Sequence, residues 1–269
     1  TGEFKSNGTE AFATATNGLG NLISSCDSGE RQWNGGDSGE GGSASSVFAI
    51  DASGADGPAF TWVTQIGCGT GYSVKVEGDY LYISGYLDEK NTTVTTTPAP
   101  AGGQGSCTLT GKYGGFLAKI RKADGMCVWA KDTPKNKRAV SDGTSVWAAN
   151  FGGEAVTYDA THTVQPNGAN AELDMFVAKY SAADGTAQWA TAVGGVGREQ
   201  LYDLAMTSNG PMAMGYSDSA SFTMGDIEIH NLQHDRMGKE ETELAGRYGM
   251  FAIVLSSTDV TPSCITACP

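Results

Sequence analysis

The sequence has few of the residues on which most binding and catalytic chemistries depend. Of 269 residues, 3 are His and 17 are Lys or Arg, against 30 Asp or Glu, so the formal net charge is −13. Because nucleic-acid binding needs cations that neutralise phosphates, we expect neither DNA, RNA nor an anionic membrane surface as a partner. No run approaches the ~18 apolar residues of a membrane helix, and residues 1–7 lack the pattern of a signal peptide. We therefore expect a soluble, already processed chain without membrane insertion.

Motifs of the common enzyme classes are missing as well. The chain has no Gly-x-Ser-x-Gly sequence for a nucleophilic serine. The glycine-rich motif at residues 194–197 lacks the Lys-Ser or Lys-Thr pair that completes a phosphate-binding loop. The sequence thus predicts a protein that is not an enzyme and that needs no cofactor.

Cysteine is present in an even number, and no two cysteines form a Cys-x-x-Cys pair. This spacing favours disulfides over a zinc or redox site, but six cysteines allow 15 pairings. We expect either a local Cys264–Cys268 bridge or a tail, residues 260–269, that leads into a further module. Two sequons, at Asn7 and Asn91, would carry glycans in a secretory pathway, so an extracellular or cell-surface location is favoured. The disulfide candidates are Cys26, Cys68, Cys107, Cys127, Cys264 and Cys268.

Two residue pairs are weak candidates for a metal site. His230 and His234 are four residues apart, a spacing that places two imidazoles on one face of a helix. Asp51 and Asp56 lie in a glycine-rich turn and offer oxygen ligands that suit Ca²⁺. Loop and hairpin-turn chemistry explains both pairs without a metal, so we expect none and name Ca²⁺ as the ion that such a turn would take.

An internal repeat is the most informative feature of the chain. Residues 115–131 read GFLAKIRKADGMCVWAK, and residues 175–191 read MFVAKYSAADGTAQWAT, with looser copies at 47–63 and 250–254. Each full copy is an apolar run, an Asp-Gly turn and a second apolar run, which predicts a β-hairpin. The glycine supplies the positive φ that a tight turn requires.

A second hairpin-like segment precedes three of these copies, at residues 74–86, 139–151 and 204–216. Gly85, Asn150 and Gly215 recur in it at intervals of 65 residues, each followed by an aromatic residue. Glycine or asparagine suits a bulge or a left-handed residue at the end of a strand. Each repeat is therefore predicted to contain two hairpins, that is, four strands.

Four antiparallel strands in each repeat, with no helical pattern, predict an all-β fold and specifically a β-propeller of about four blades or an arc of a larger propeller. The repeats cover residues 18–67, 70–133, 138–195 and 200–259 of a single domain, 1–269. We expect their recurring aromatic residues to pack one blade on the next. These structural residues are Trp62, Trp129, Trp189, Phe48, Phe116, Phe176 and Phe251.

Two further expectations concern the ends and the insertions. Residues 7–15 resemble residues 184–192, so we expect the N-terminal strand to complete the last blade, whose own Trp strand is missing. The stretches 91–113, 154–174 and 226–248 all fall between the two hairpins of a repeat, and we expect them to share one region of the molecule. Residues 18–46 are rich in glycine and predict a loop.

These repeats resemble the β-propeller repeat proteins of the seven-bladed, SBBP-type kind, in which a strand ending Thr-Gly-aromatic precedes Phe-Val-Ala-Lys, an Asp-Gly turn and a Trp-Ala strand. The resemblance covers about two thirds of the chain and implies a secreted or surface protein. The expected function is a non-enzymatic scaffold or protein–protein interaction module, such as a subunit of a surface assembly or filament. A glycan-binding, lectin-like propeller and a hydrolase or lyase with a site on the propeller axis remain the alternatives.

Overall fold

The computed structural model describes residues 4–6, 10–16, 44–51, 59–87, 92–97, 107–110, 114–134, 138–167, 173–224, 227–230, 249–255 and 264–267. Within these ranges all regular structure is β-strand, and the strands pair antiparallel. None of these residues forms a helix of the length and hydropathy that would cross a membrane. The chain divides into two compact units, Thr1–Ala139 and Val140–Pro269, at the boundary between the second and third predicted repeats.

Unit 1 contains the first nine strands. They are β1 (Phe4–Ser6), β2 (Glu10–Thr16), β3 (Ala44–Asp51), β4 (Ala59–Glu77), β5 (Tyr80–Leu87), β6 (Thr92–Thr97), β7 (Cys107–Leu109), β8 (Gly115–Arg121) and β9 (Cys127–Thr133).

Unit 2 contains the remaining strands. They are β10 (Arg138–Ser141), β11 (Ser145–Gly152), β12 (Val156–Thr157), β13 (Thr163–Val164), β14 (Asp174–Ser181), β15 (Ala187–Gly195), β16 (Glu199–Thr207), β17 (Gly210–Ser217), β18 (Ser221–Met224), β19 (Ile227–His230), β20 (Gly249–Val254) and β21 (Cys264–Ala267).

The strands of each unit form two antiparallel meanders of four strands, which we name repeats 1 to 4. Repeat 1 is β1–β2–β3 with the first half of β4, and repeat 2 is the second half of β4 with β5, β8 and β9. Repeat 3 is β10–β11–β14–β15, and repeat 4 is β16–β17–β20–β21. The all-β class and the antiparallel pairing agree with the sequence. The described strands form several small sheets rather than a closed barrel, so a propeller ring stays a prediction.

The hairpin turns adopt the conformation that the sequence predicts. Gly125 and Gly185, the glycines of the two Asp-Gly turns, both have a φ of 72°. The carboxylate of Asp184 accepts hydrogen bonds from the backbone N–H and the hydroxyl of Thr186, at 3.0 and 2.8 Å. These aspartates thus stabilise the turns through local hydrogen bonds.

The 65-residue interval of Gly85, Asn150 and Gly215 has a different cause from the one expected. These residues lie within strands and outside the left-handed region, directly opposite Phe116, Phe176 and Phe251 on the neighbouring strand. A Cβ on Gly215 would lie 2.7 Å from the Phe251 ring and 2.2 Å from the Gln200 carbonyl oxygen. The glycines therefore make room for a Phe ring, and the bulge lies on the partner strand beside them.

The expectation that the N-terminal strand completes the last blade is wrong. Strand β2 pairs with β3 over seven residue pairs, from Glu10–Asp51 to Thr16–Ser45. The edge of β20 is instead taken by β21, from a segment in which the sequence shows no tryptophan strand. Repeat 1 thus begins at Phe4 rather than at residue 18, and both β2 and β21 pair with a strand that is next to them in the chain, as is usual.

Each meander has two faces, which we name by their recurring aromatic residues. The Trp face of a repeat carries Trp62, Trp129 or Trp189, and the Phe face carries Phe48, Phe116, Phe176 or Phe251. In repeat 4, which has no tryptophan, the Trp face is the one opposite Phe251. Phe48 pairs with Val63 as Ala118 pairs with Ala130, so it lies two residues further along its strand than the sequence alignment placed it.

The two units have cores of the same design. In unit 1, Ala49 and Trp62 from the Trp face of repeat 1 pack with Leu81, Ile83 and Phe116 from the Phe face of repeat 2. In unit 2, the Trp face of repeat 3 packs in the same way on the Phe face of repeat 4. The members of that second cluster include Trp147, Ala149, Val177, Leu204, Ala213, Phe251 and Ile253. The Trp face of one repeat is thus covered by the Phe face of the next.

Inserted hairpins complete both cores. In unit 1 the insertion of repeat 2 forms β6–β7, and β6 pairs with β4 of repeat 1. In unit 2 the hairpin β18–β19 of repeat 4 pairs, through β18, with β15 of repeat 3. Each hairpin therefore extends the sheet of the preceding repeat and adds buried apolar side chains to the core. These side chains are Val94 and Leu109 in unit 1, and Phe222, Met224 and Ile229 in unit 2.

Candidate interaction surface

The Trp face of repeat 4 carries exposed apolar side chains, with Gln200 and Asp203 of β16 paired beside Tyr216 and Met214. Its central cross-strand pairs are Met214–Ala252 and Tyr216–Met250. Met250 is 65% exposed and Met214 37% exposed, and Tyr202 on β16 is 57% exposed and packs at 5.4 Å between ring centroids against Tyr216. This surface, which we call the Met–Tyr face, has the aromatic and methionine composition that is typical of protein interfaces.

The same face of the other repeats is buried. In repeat 2, Leu117 and Ser84 at the positions of Ala252 and Met214 have no exposed surface, and in repeat 3 the pair Val177–Ala149 has none either. Met214 is therefore exposed in repeat 4 at a position that is buried in repeats 2 and 3.

Rows of an aromatic residue, a lysine and a tryptophan mark the Trp faces of repeats 2 and 3. Lys119 lies between Tyr82 and Trp129 across three strands, with its Nζ 3.9 Å from the centroid of the Tyr80 ring. Burial lowers the pKa of Lys119. Lys179 lies in the same way between Trp147 and Trp189, and its Nζ is 5.2 Å from the Trp147 ring. These lysines support the packing of the aromatic rings through cation–π contacts.

The recurring tryptophans pack between elements. The Trp62 indole N–H donates a 3.0 Å hydrogen bond to the carbonyl of Lys122, at the β8–β9 turn of repeat 2. A Cβ on Gly125 of the same turn would lie 2.6 Å from the Trp62 ring, so the indole covers this glycine closely. Trp129 is buried, and half-buried Trp189 packs against the core of unit 2. Their contacts are those of packing residues.

Two buried carboxylic acids lie close together in unit 2, and neither is among the site residues predicted from the sequence. Asp174 begins β14 and Glu199 begins β16, and neither side chain is exposed. The Asp174 Oδ2 atom accepts a hydrogen bond from the backbone N–H of Asn167, whereas Oδ1 has no partner among the described residues. The carboxyl group lies against Gly194, where a Cβ would be only 2.2 Å from its carbon.

Glu199 is better satisfied than Asp174. Its Oε2 accepts a 2.8 Å hydrogen bond from the backbone N–H of Gly195, and its Oε1 accepts one of 2.6 Å from the Ser217 hydroxyl. Burial raises the pKa of Glu199, and it raises the pKa of Asp174 to about 7, with a further rise from the nearby Glu199 carboxylate. Asp174 therefore exchanges its proton near neutral pH, in a position that joins the starts of β14 and β16 to the end of β15.

The acid pair is specific to one junction of repeats. Two residues before Phe116 and Phe251, where repeat 3 has Asp174, repeats 2 and 4 have Gly114 and Gly249. A search of the sequence for polar residues inside apolar strands would have found Asp174, at the start of the run DMFVAKY. Complete burial of both acids leaves them as groups that hold strands together rather than as groups that meet a substrate.

Two of the remaining predicted site residues lie in strands that the structure describes. His230 is exposed at the end of β19, and Asp51 ends β3. His234, Asp56, Asn7 and Asn91 lie outside the described residues, as does the Asp51 side chain. Among the residues that the structure describes, no three His, Cys, Asp or Glu side chains are placed to bind a metal.

One disulfide joins two of the six candidate cysteines, in a pairing that the sequence left open. Cys107 at the start of β7 and Cys127 at the start of β9 are joined, with their Cα atoms 6.1 Å apart. This bond ties the inserted hairpin of repeat 2 to the last strand of the same repeat. The side chains of Cys26, Cys68, Cys264 and Cys268 lie outside the described part of the chain, so the Cys264–Cys268 bridge stays a prediction.

Comparison with known proteins adds no family. No protein-family model matches the chain, and no curated protein matches its sequence. The resemblance of the repeats to SBBP-type propeller repeats therefore stays a prediction from the sequence.

Proposed function

We propose that this chain is a non-enzymatic β-propeller module that acts as an extracellular scaffold, holding other proteins or further copies of itself in a surface assembly. The observation that carries the proposal is the stacking of meanders in both units, the Trp face of one repeat on the Phe face of the next. Blades of a propeller bury both of their faces in this way, by stacking around an axis.

The roles of the recurring residues support a scaffold. Tryptophans and phenylalanines fill the space between meanders, glycines make room for rings, and aspartates close turns. The buried Asp174–Glu199 pair joins strands inside unit 2. Repeated positions thus serve packing, whereas the Met–Tyr face, with its exposed Met and Tyr side chains, is suited to a protein partner.

An extracellular location is proposed from the cysteines and the sequons. The Cys107–Cys127 bond needs an oxidising compartment to form and persist. Asn7 and Asn91 would then be glycan acceptors. Treatment of the native protein with a glycosidase, followed by mass measurement, tests the sequons directly.

Electron microscopy of the native protein tests the proposed function. We expect the chain in the secreted or surface fraction, in particles that contain several subunits, with each subunit showing four small sheets around an axis. A monomer that gives reproducible hits on a glycan array would replace the scaffold with a lectin. Turnover of glycoside, ester or uronate substrates by the purified chain would replace it with a hydrolase or lyase.

A further inference from the structure

We propose that Asp174 and Glu199 form a proton-controlled clasp between repeats 3 and 4, which is closed while a proton is bound to the pair and opens locally when that proton is lost. Asp174 begins β14 of repeat 3, and Glu199 begins β16 of repeat 4. We call these two acids, with their backbone neighbours Asn167, Leu173 and Gly195, the acid clasp. The inference goes beyond the proposed scaffold function and does not depend on it.

The backbone between the two repeats is held by few hydrogen bonds at this point. Leu173, directly before β14, forms a single parallel bridge with Arg198, directly before β16. The Leu173 carbonyl accepts a 2.7 Å hydrogen bond from the N–H of Glu199. By contrast, β14 pairs with β11 of its own sheet over eight residue pairs. Repulsion between the acids can therefore separate the starts of β14 and β16 while both sheets stay intact.

Asp174 is poorly suited to hold a negative charge in the closed clasp. Its side chain has no exposed surface, and Oδ1 has no hydrogen-bond partner among the described residues. Its carboxyl carbon would lie 2.2 Å from a Cβ on Gly194, so the group is packed closely on the backbone at the end of β15. Burial of a charge without full hydrogen bonding costs free energy, and the protonated acid carries no such charge.

The charged groups near Asp174 add to this cost. From β16, the Glu199 carboxylate raises the pKa of Asp174, and from the β17–β18 turn Asp218 raises the pKa of Glu199. The side chain of Arg198 is exposed, and its backbone N–H donates a hydrogen bond to Asp218. No basic side chain among the described residues lowers the pKa of Asp174. Loss of the proton therefore places two negative charges side by side in a buried site.

The other strands packed on the clasp present uncharged groups to it. The Asn167 side-chain amide donates hydrogen bonds to the carbonyl oxygens of Ala192 on β15 and Thr223 on β18, at 3.3 and 3.2 Å. Its backbone N–H donates to Asp174. Opening of the clasp should thus expose the amides of Asn167, Gly195 and Glu199 together, because each of them is hydrogen-bonded within it.

A bound proton favours the closed clasp. Burial, together with the Glu199 carboxylate, raises the pKa of Asp174 from 3.8 to about 7. In an opened clasp water reaches the carboxyl group, and its pKa returns towards the ordinary value. Between about pH 4 and 7 the closed form therefore holds a proton that the open form has released. Each pH unit in this range should raise the ratio of open to closed chains about tenfold, and the rise should stop above pH 7.

Backbone hydrogen exchange of the whole chain, measured by NMR between about pH 5 and 8, tests the proposal. Protection factors, which are corrected for base-catalysed exchange, should fall about tenfold per pH unit at Asn167, Gly195 and Glu199 and level off above pH 7. Low concentrations of urea should leave these three factors unchanged, because a local opening exposes little surface. The amides of the β11–β14 ladder, which exchange through larger openings, should respond to urea.

Two variants separate the pair from other titrating groups. Asp174→Asn keeps an acceptor for the Asn167 N–H but cannot ionise, so it should lose about tenfold less protection than the wild type between pH 5 and 7. Glu199→Gln removes the second charge, so the protection of Asn167 should level off at a pH below 7. Glu228→Gln, at an exposed site on β19, is the control and should follow the wild type.

Three results would overturn the proposal. Equal losses of protection in Asp174→Asn and the wild type would assign the effect to another group, and constant protection in the wild type would mean that no proton is released. A urea dependence of the clasp amides equal to that of β14 would mean that Asp174 acts on global unfolding alone. If Asp174→Asn fails to fold, Glu199→Gln decides, since levelling that stays at pH 7 without Glu199 contradicts a paired site.

Discussion

Asp174 is a buried acid whose ionisation affects the stability of the fold. Its pKa is raised from the ordinary 3.8 to about 7. Between these pH values the folded chain holds a proton at Asp174 that the unfolded chain has released. The stability that this site contributes is therefore complete below about pH 4 and is lost as the pH rises through 7.

Replacement of this acid by its neutral analogue should remove that dependence. We expect the free energy of unfolding of the wild type to fall between pH 4 and 8 relative to Asp174→Asn, by on the order of 3 kcal/mol. Urea unfolding at several pH values measures the difference. Glu228→Gln, at an exposed site on β19, is the control and should follow the wild type. Parallel curves for Asp174→Asn and the wild type would show that Asp174 is ionised at neutral pH in the folded protein.

The glycines that face phenylalanine rings give a second prediction at this scale. Gly215→Ala should reduce the free energy of unfolding by about 1–3 kcal/mol, because its Cβ would overlap the Phe251 ring and a carbonyl oxygen. Gly152→Ala, where a Cβ meets no atom within 4 Å, should leave stability nearly unchanged. Urea unfolding of both variants measures this, and equal losses would mean that contact with the Phe251 ring is not what selects glycine at residue 215.

Among the elements, the inserted hairpins are structural parts of both cores rather than loops. Phe222 on β18 is buried, and its ring centroid is 5.2 Å from that of Phe251. We expect Phe222→Ala to destabilise the chain by about 3–5 kcal/mol. Val196→Ala, at an exposed turn, should have little effect in the same thermal unfolding experiment. A small loss for Phe222→Ala would show that unit 2 keeps its core without β18–β19.

The disulfide of unit 1 should stabilise the other hairpin. Cys107 and Cys127 close a loop of 20 residues, for which the loss of chain entropy on crosslinking predicts about 3 kcal/mol. We expect the double variant Cys107→Ser/Cys127→Ser to have a free energy of unfolding in urea that is lower by that amount. The backbone amides of β6 and β7 should also exchange with solvent faster than in the wild type. A reductant should reduce the difference in free energy of unfolding between the wild type and the double variant. If it does not, the bond contributes little to stability.

The elements also show what the sequence can and cannot reveal. Asp-Gly turns between apolar runs predicted the hairpins of repeats 2 and 3, since these signals are local. The partner of β2, the pairing of β18 with β15 and the position of Phe48 depend on residues far apart in the chain. The pattern at Gly85 and Gly215 predicts a bulge or a left-handed residue, and this is wrong because glycine is required there by a Phe ring on the neighbouring strand.

At the scale of the whole molecule, the net charge of −13 opposes contact between two copies. If copies of the chain meet through apolar surfaces in the proposed surface assembly, salt should strengthen their association by screening this repulsion. The Debye length falls from about 10 Å at 0.1 M to about 3 Å at 1 M. We expect the dissociation constant of the assembly to fall severalfold over that range in sedimentation equilibrium. A rise with salt would instead indicate ion pairs across the contact.

Exposure of the Met–Tyr face could not be predicted from the sequence for a reason that also belongs to this scale. Its residues alternate as those of buried strands do, and only the arrangement of the repeats decides whether another sheet covers them. The sequence does not predict the pairing of Asp174 with Glu199 either. These acids are 25 residues apart in sequence, and both are buried where the starts of β14 and β16 lie beside the end of β15.

Strand β4 belongs to two meanders at once, and its backbone passes from Ala59 to Glu77 without a loop. Local opening of a protein usually stops at a loop, where one cooperative unit ends and the next begins. Repeats 1 and 2 have no such stop between them. Hydrogen exchange along β3 and β5 should therefore report a single opening event. Repeats 1 and 2 would then be one cooperative unit of unfolding, although they are two repeats in the sequence.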